Sequence, residues 1–234
     1  MSRSRLTLTG TALLAAFALA ACSADEKPGG AADRAEAKDG GGKKAGPAAV
    51  AKPITRDLPQ GAITQALMGD GEALPAYSLH GDKGVMETTY CNGQDVEGAP
   101  KGWVRGGDAS YEYQGSTLNM ADVYVCLFES PADAHAVYTA MKGAKDKPHK
   151  PSKPIGDEAA LLINPNGTED YIKGISRSGK AVIEVRLSGG AGAGEDPTGT
   201  EAMLAATLKR LQQVQDGKPA TATATGERAA VTAP

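Results

Sequence analysis

Apolar residues recur along this chain with two different periods. In Ala121-Asp-Val-Tyr-Val-Cys-Leu-Phe128 they fall at every second position, the spacing of a half-buried strand, and Val123, Val125 and Leu127 are expected to share one face. Ala109-Ser-Tyr-Glu-Tyr-Gln114 alternates likewise, and Leu74-Pro-Ala-Tyr-Ser-Leu79 leads into extended chain through Val85 to Cys91. Farther on, Ala159 to Ile163 is strand-like and Asn164-Pro-Asn-Gly167 is a turn. Tyr171 to Arg177 and Ala181 to Leu187 then read as a hairpin around Ser178-Gly179. In the last of these strands Ala181, Ile183, Val185 and Leu187 are assigned to the core, Glu184 and Arg186 to water.

The helical period appears between these stretches. Ile63, Ala66 and Leu67 mark a short first helix that starts near Asp57 to Pro59 and stops at Gly69 or Gly71. Ser130-Pro-Ala-Asp133 has the make-up of a helix start, with Ser as N-cap, Pro in the first turn and an acid at the third position. Val137, Ala140, Met141 and Ala144 follow as its apolar stripe. Thr198-Gly-Thr-Glu201 has capping-box spacing ahead of Leu204, Leu208 and Leu211, the stripe of a last helix. Two strand-strand-helix units in tandem predict an α+β domain, an antiparallel sheet with helices packed on one face.

Both ends of the chain lack this patterning. Met1-Ser-Arg-Ser-Arg5 is basic, and Leu6 to Ala21 is apolar except for threonines and a glycine, shorter than the ~20 residues of a membrane span. That layout is a secretory signal over residues 1–21. Leu19-Ala-Ala-Cys22 resembles the bacterial lipobox, in which the cysteine thiol receives diacylglycerol and the chain is cut before it. Cys22 is therefore the expected lipidation site, palmitate-type acylation the expected modification, and the outer face of the cytoplasmic membrane the expected address. Residues 22–53, rich in Gly, Ala and charged groups, are too poor in large apolar side chains to fold alone, and form an expected disordered tether with a reach of ~30 Å. The tail, 216–234, with Thr221-Ala-Thr-Ala-Thr225, reads as disordered on the same ground. Residues 54–215 remain as one globular domain.

The helix running into Leu74-Pro-Ala-Tyr77, the strand that ends in Ser130-Pro-Ala-Asp-Ala-His135, and Pro154-Ile-Gly-Asp-Glu-Ala159 before a hairpin together resemble actinobacterial cell-surface lipoproteins of the Streptomyces type. Their domain is similar to the extracellular sensor domains of mycobacterial Ser/Thr kinases. The resemblance implies an α+β fold and a binding or sensing role, and it brings no catalytic residues to transfer.

The formal net charge of −3 and an extracytoplasmic address argue against a nucleic-acid partner. With Cys22 acylated, Cys91 and Cys126 are left as a pair, as a disulfide in an oxidising compartment would require. Gly189-Gly-Ala-Gly-Ala-Gly194 has neither phosphate-loop spacing and reads as a flexible connection. His80, His135 and His149 are too scattered to suggest zinc, and no serine sits in a nucleophile motif. Asp157-Glu158 is a carboxylate pair, but neighbours on a strand point apart. Neither catalytic residue, cofactor nor metal is expected.

Two groups of residues are candidates for contact. Lys142, Lys145, Lys147, Lys150 and Lys153 make a basic linker suited to anionic headgroups or wall polymers, or simply a solvated loop. Trp103, Tyr111, Tyr113 and Tyr124 are either core or the lining of a ligand face. The expected function is a membrane-anchored, non-enzymatic binding or sensor-like domain. A carrier of an apolar molecule or lipid would instead need a dry pocket lined by Leu, Ile and Val, and a cell-wall hydrolase would need converging carboxylates or an activated serine.

Overall fold

The computed structural model describes residues 52–86, 91, 98–143, 148–163, 171–189 and 196–232. The expected signal, the expected lipidation site Cys22 and nearly all of the expected tether lie outside these residues. Six strands, β1 (Tyr77–Met86), β2 (Trp103–Tyr113), β3 (Ser116–Phe128), β4 (Glu158–Ile163), β5 (Tyr171–Ser178) and β6 (Ala181–Ser188), form an antiparallel sheet in the order β1-β2-β3-β6-β5-β4. Four helices pack with it: α1 (Gln60–Ala66), α2 (Pro131–Lys142), α3 (Pro197–Gln215) and α4 (Ala224–Thr232). The fold is α+β. Each half contributes three strands and then a helix, one strand more than the expected strand-strand-helix unit, and the halves join where β3 pairs with β6.

Local chemistry sets most of these boundaries. Ser130 caps α2 by accepting a 3.1 Å bond from the Asp133 N–H, with Pro131 behind it. β2 and β3 close through Gln114 and Gly115, both at positive φ (52° and 74°), the pairing whose twist suits a two-residue hairpin. In α3 the cap is Asp196, which accepts a 2.8 Å bond from the Gly199 N–H, not Thr198 as the capping-box spacing suggested. Pro197 fits the first helical position directly after Asp196, and that moves the start two residues upstream. Glu201, freed from capping duty, binds the Ser152 N–H at 3.0 Å through both carboxylate oxygens.

The helices divide between the two faces. On the first, Val123, Val125, Leu127, Ile183, Val185 and Leu187 are buried beneath Ile63 and Leu67 of α1 and Leu204, Leu208 and Leu211 of α3. Such side chains are worth roughly 1.5–3 kcal/mol each when fully buried. Gly174 is needed here, because a Cβ would stand 2.5 Å from Thr200 and 2.8 Å from Leu204 of α3. On the second face α2 sets Ala134, Val137, Tyr138 and Met141 against Cys126, Phe128, Leu162, Ile175 and Val182. Cys91 and Cys126 are joined there, with Cα atoms 5.9 Å apart and 35 positions between them in sequence.

The expectation of an unstructured tail is corrected. Ala222 and Ala224 are buried, and α4 packs on α3. The Ala224 N–H donates to Glu72 O (2.9 Å), the Thr225 hydroxyl to Ala73 O (3.2 Å), and Arg228 pairs with Asp196 (3.2 Å). The segment lacks large apolar groups, but its small ones fit close against a helix, so the order comes from contact with the domain. At the other end Gln215 clamps the incoming chain, accepting from the Thr55 and Arg56 N–H groups (2.7 and 3.1 Å) and donating to Pro53 O (3.1 Å). No helix among the described residues is long and apolar enough to cross a membrane.

Candidate functional site

Residues paired across antiparallel strands point to the same face. The ladders place His80 beside Ser110, Ser110 beside Asp122, Asp122 beside Arg186, and Arg186 beside Lys173, a polar row running from β1 to β5. The next row holds Asp108, Tyr124, Glu184 and Ile175. Both rows lie on the second face. The helix α2 packs over β3, β5 and β6 at the end carrying Cys126 and Val182, and its last turn reaches Lys173. Over the β1–β2 part of these rows lies no described helix.

Charge divides unequally along this strip. On the β5–β6 side, Lys173 donates a 3.1 Å bond to Met141 O at the C-terminal end of α2 and stands 3.5 Å from Glu184 Oε2. Arg186 pairs with Glu184 Oε1 and lies over the Tyr124 ring at 5.4 Å. Burial works against the charge on Arg186, but Glu184 outweighs it and holds the guanidinium above its ordinary value. On the β2–β3 side stand Asp108, Asp122 and Glu112. Ser110 donates to Asp122 at 2.5 Å, and His80 Nδ1 lies 3.1 Å from Glu112. Burial, and then the charge of Asp122, push the Asp108 carboxyl up from its ordinary value. Bases are thus matched on one side of the strip while acids accumulate on the other.

Glu184, assigned to water from the alternation of β6, has only 1% of its side chain exposed, whereas Arg186 retains 36%. The cause is the second layer: with α2 and Lys173 on that face, a position between apolar neighbours is no longer a solvent position.

The four aromatic residues do not line one face. Tyr111 is fully buried on the first face, its hydroxyl donating to Met68 O at 2.8 Å, and burial raises its pKa. Tyr113 packs against Tyr77 with ring centroids 5.2 Å apart and ring planes tilted by 57°. Trp103 and Tyr124 are half-buried against the second core, and of the four only Tyr124 belongs to the polar strip. Four aromatics spread over three strand positions and a bulge at Glu112/Tyr113 cannot converge.

Of the basic linker, Lys142, Lys150 and Lys153 are among the described residues. Lys145 and Lys147 lie outside them. Lys142 lies 5.9 Å from the Tyr138 ring centroid, Lys153 donates to Ala230 O, and Lys150 is exposed. Residues 190–195 of the glycine-rich stretch also lie outside the described residues. Asp157 and Glu158, expected to point apart, both hold Arg177, each at 3.0 Å. The reason is that β4 begins at Glu158, so Asp157 precedes the strand and its direction is not set by strand alternation; its carboxylate also accepts a 2.7 Å bond from the Gly179 N–H. Burial raises the Glu158 pKa, but Arg177 and His135, the latter at 3.0 Å, more than offset it and hold the carboxyl below its usual range. A carboxylate held ionised in this way is poorly suited to donate a proton. No group of three or more potential metal ligands occurs among the described residues.

A cleft of about 400 Å³ opens beside α2, lined by Pro100, Lys101, Ala132, Asp133, Ala136, Val137 and Ala140. Its wall combines three alanines, Pro100 and Val137 with the charged Lys101 and Asp133, whereas a carrier of an apolar molecule calls for a dry lining of Leu, Ile and Val.

No family model matches the chain, and no curated protein matches it. Among solved structures it is similar to the extracellular domain of PknH from Mycobacterium tuberculosis, at a TM-score of 0.42 and 10% sequence identity, over 68% of this chain and 98% of that one.

Proposed function

We propose that this chain is an exported lipoprotein, held at the outer face of the membrane through Cys22, and that its domain binds a ligand or partner at the polar strip without transforming it. The observation that carries the binding role is the second face itself. One end is a packed core under α2, while the other sets Asp108, Asp122, Tyr124 and Arg186 in adjacent rows of the sheet. A constellation held on strands is better positioned for recognition than one on loops. The signal-like start and the Leu19-Ala-Ala-Cys22 motif support the address, and the bond between Cys91 and Cys126 suits an oxidising compartment.

Intact mass and membrane fractionation of the native protein beside Cys22→Ala test the anchor. The expected result is a chain beginning at Cys22 with a diacylglyceryl or triacyl increment, and loss of both the increment and the membrane association in the variant. Unmodified, freely released native protein would sink the anchored reading. The surface is tested by NMR titration of the domain with soluble peptidoglycan fragments and, separately, phosphatidylglycerol vesicles. Shifts confined to Ser110, Asp122, Tyr124 and Arg186 support the strip. Shifts centred on Ala136 and Ala140 transfer the role to the cleft, and no shifts with either probe remove the case for wall or lipid contact.

A further inference from the structure

We draw no further inference here: the strongest candidate, the cluster of Asp108, Glu112 and Asp122 on the β2–β3 side of the sheet's second face, is an acidic cluster within the surface already described, and nothing else in the structure points to what it would hold.

Discussion

On the first face of the sheet Val123, Val125, Ile183 and Val185 meet Leu204 and Leu208. On the second, the alternate positions of the same two strands hold Asp122, Tyr124, Glu184 and Arg186. The first face behaves as one apolar layer, and its main polar intruder is fully satisfied. Arg210 of α3 donates to the carbonyls of Gln65, Ala66, Leu67 and Ala222 at 2.9–3.2 Å and pairs with Glu72 at 3.0 Å. These carbonyls include the end of α1, which a buried guanidinium is well shaped to serve. The second face is instead split between a small core fastened by a disulfide and a strip of partly buried charge. The same period-two alternation therefore encodes a core face and a mixed face, and the difference arises from which helix, if any, lies above each residue.

The largest test of this contrast is Glu184. Its carboxylate is the partner of both Lys173 and Arg186, and removing it leaves the Lys173 ammonium buried with a single helix-end carbonyl. Glu184→Ala is expected to cost about 3–5 kcal/mol, the usual penalty for stranding one member of a buried ion pair. Combining Glu184→Leu with Lys173→Met should recover most of the loss, since the two buried charges then leave together and Arg186, 36% exposed, keeps access to water. Urea denaturation with matched m-values measures each. A single-variant cost under about 1 kcal/mol, the range of surface pairs, would mean that this site is solvated and the two faces less different than described.

The disulfide comes next. It fastens only the second face, so Cys91→Ser with Cys126→Ser should lower stability by about 3–4 kcal/mol, the chain-entropy value for a closed loop of this length. Hydrogen exchange should show α2 and the Cys126 end of β3 losing protection ahead of α3 and the first-face positions of β6. Uniform loss of protection across both faces would show that the two cores unfold as one unit.

How much of this was legible beforehand depends on the same contrast. The first face could be read because Val123, Val125, Leu127 and the β6 set repeat an apolar period with nothing competing. The Ser130 cap was legible because cap, proline and acid coincide within four residues. The strip was not, although its signal was present. Asp108, Ser110 and Glu112 alternate in β2, as do Asp122 with Tyr124 and Glu184 with Arg186, but polar alternation by itself denotes solvent, and only the register brings the three sets together. The order of the tail was hidden for another reason. Ala222 and Ala224 gain their value from how closely they approach α3, a property of tertiary fit that carries no periodic mark.

The smallest effect is also the one with a sign that distinguishes the faces. Glu72, beside Arg210 on the first face, has its pKa raised by burial but lowered more by the Gly69 N–H and Arg210, so it lies below the ordinary value. A carboxyl depressed on folding contributes stability above its unfolded pKa that is lost as pH falls through the folded one. Asp108 on the second face is displaced the other way, so its contribution is present in acid, below the ordinary aspartate value, and is lost as pH rises through its raised folded pKa. Glu72→Gln should therefore destabilise the domain at pH 7 and much less at pH 3. Asp108→Asn should leave it slightly more stable than the native chain at pH 7, by a fraction of a kcal/mol as befits a partly exposed group, with the gain vanishing at pH 3. Urea midpoints at the two pH values measure both variants. If Asp108→Asn instead weakens the domain at pH 7, the aspartate is stabilised by a partner in the folded state, and the acids of the strip are matched as the bases are.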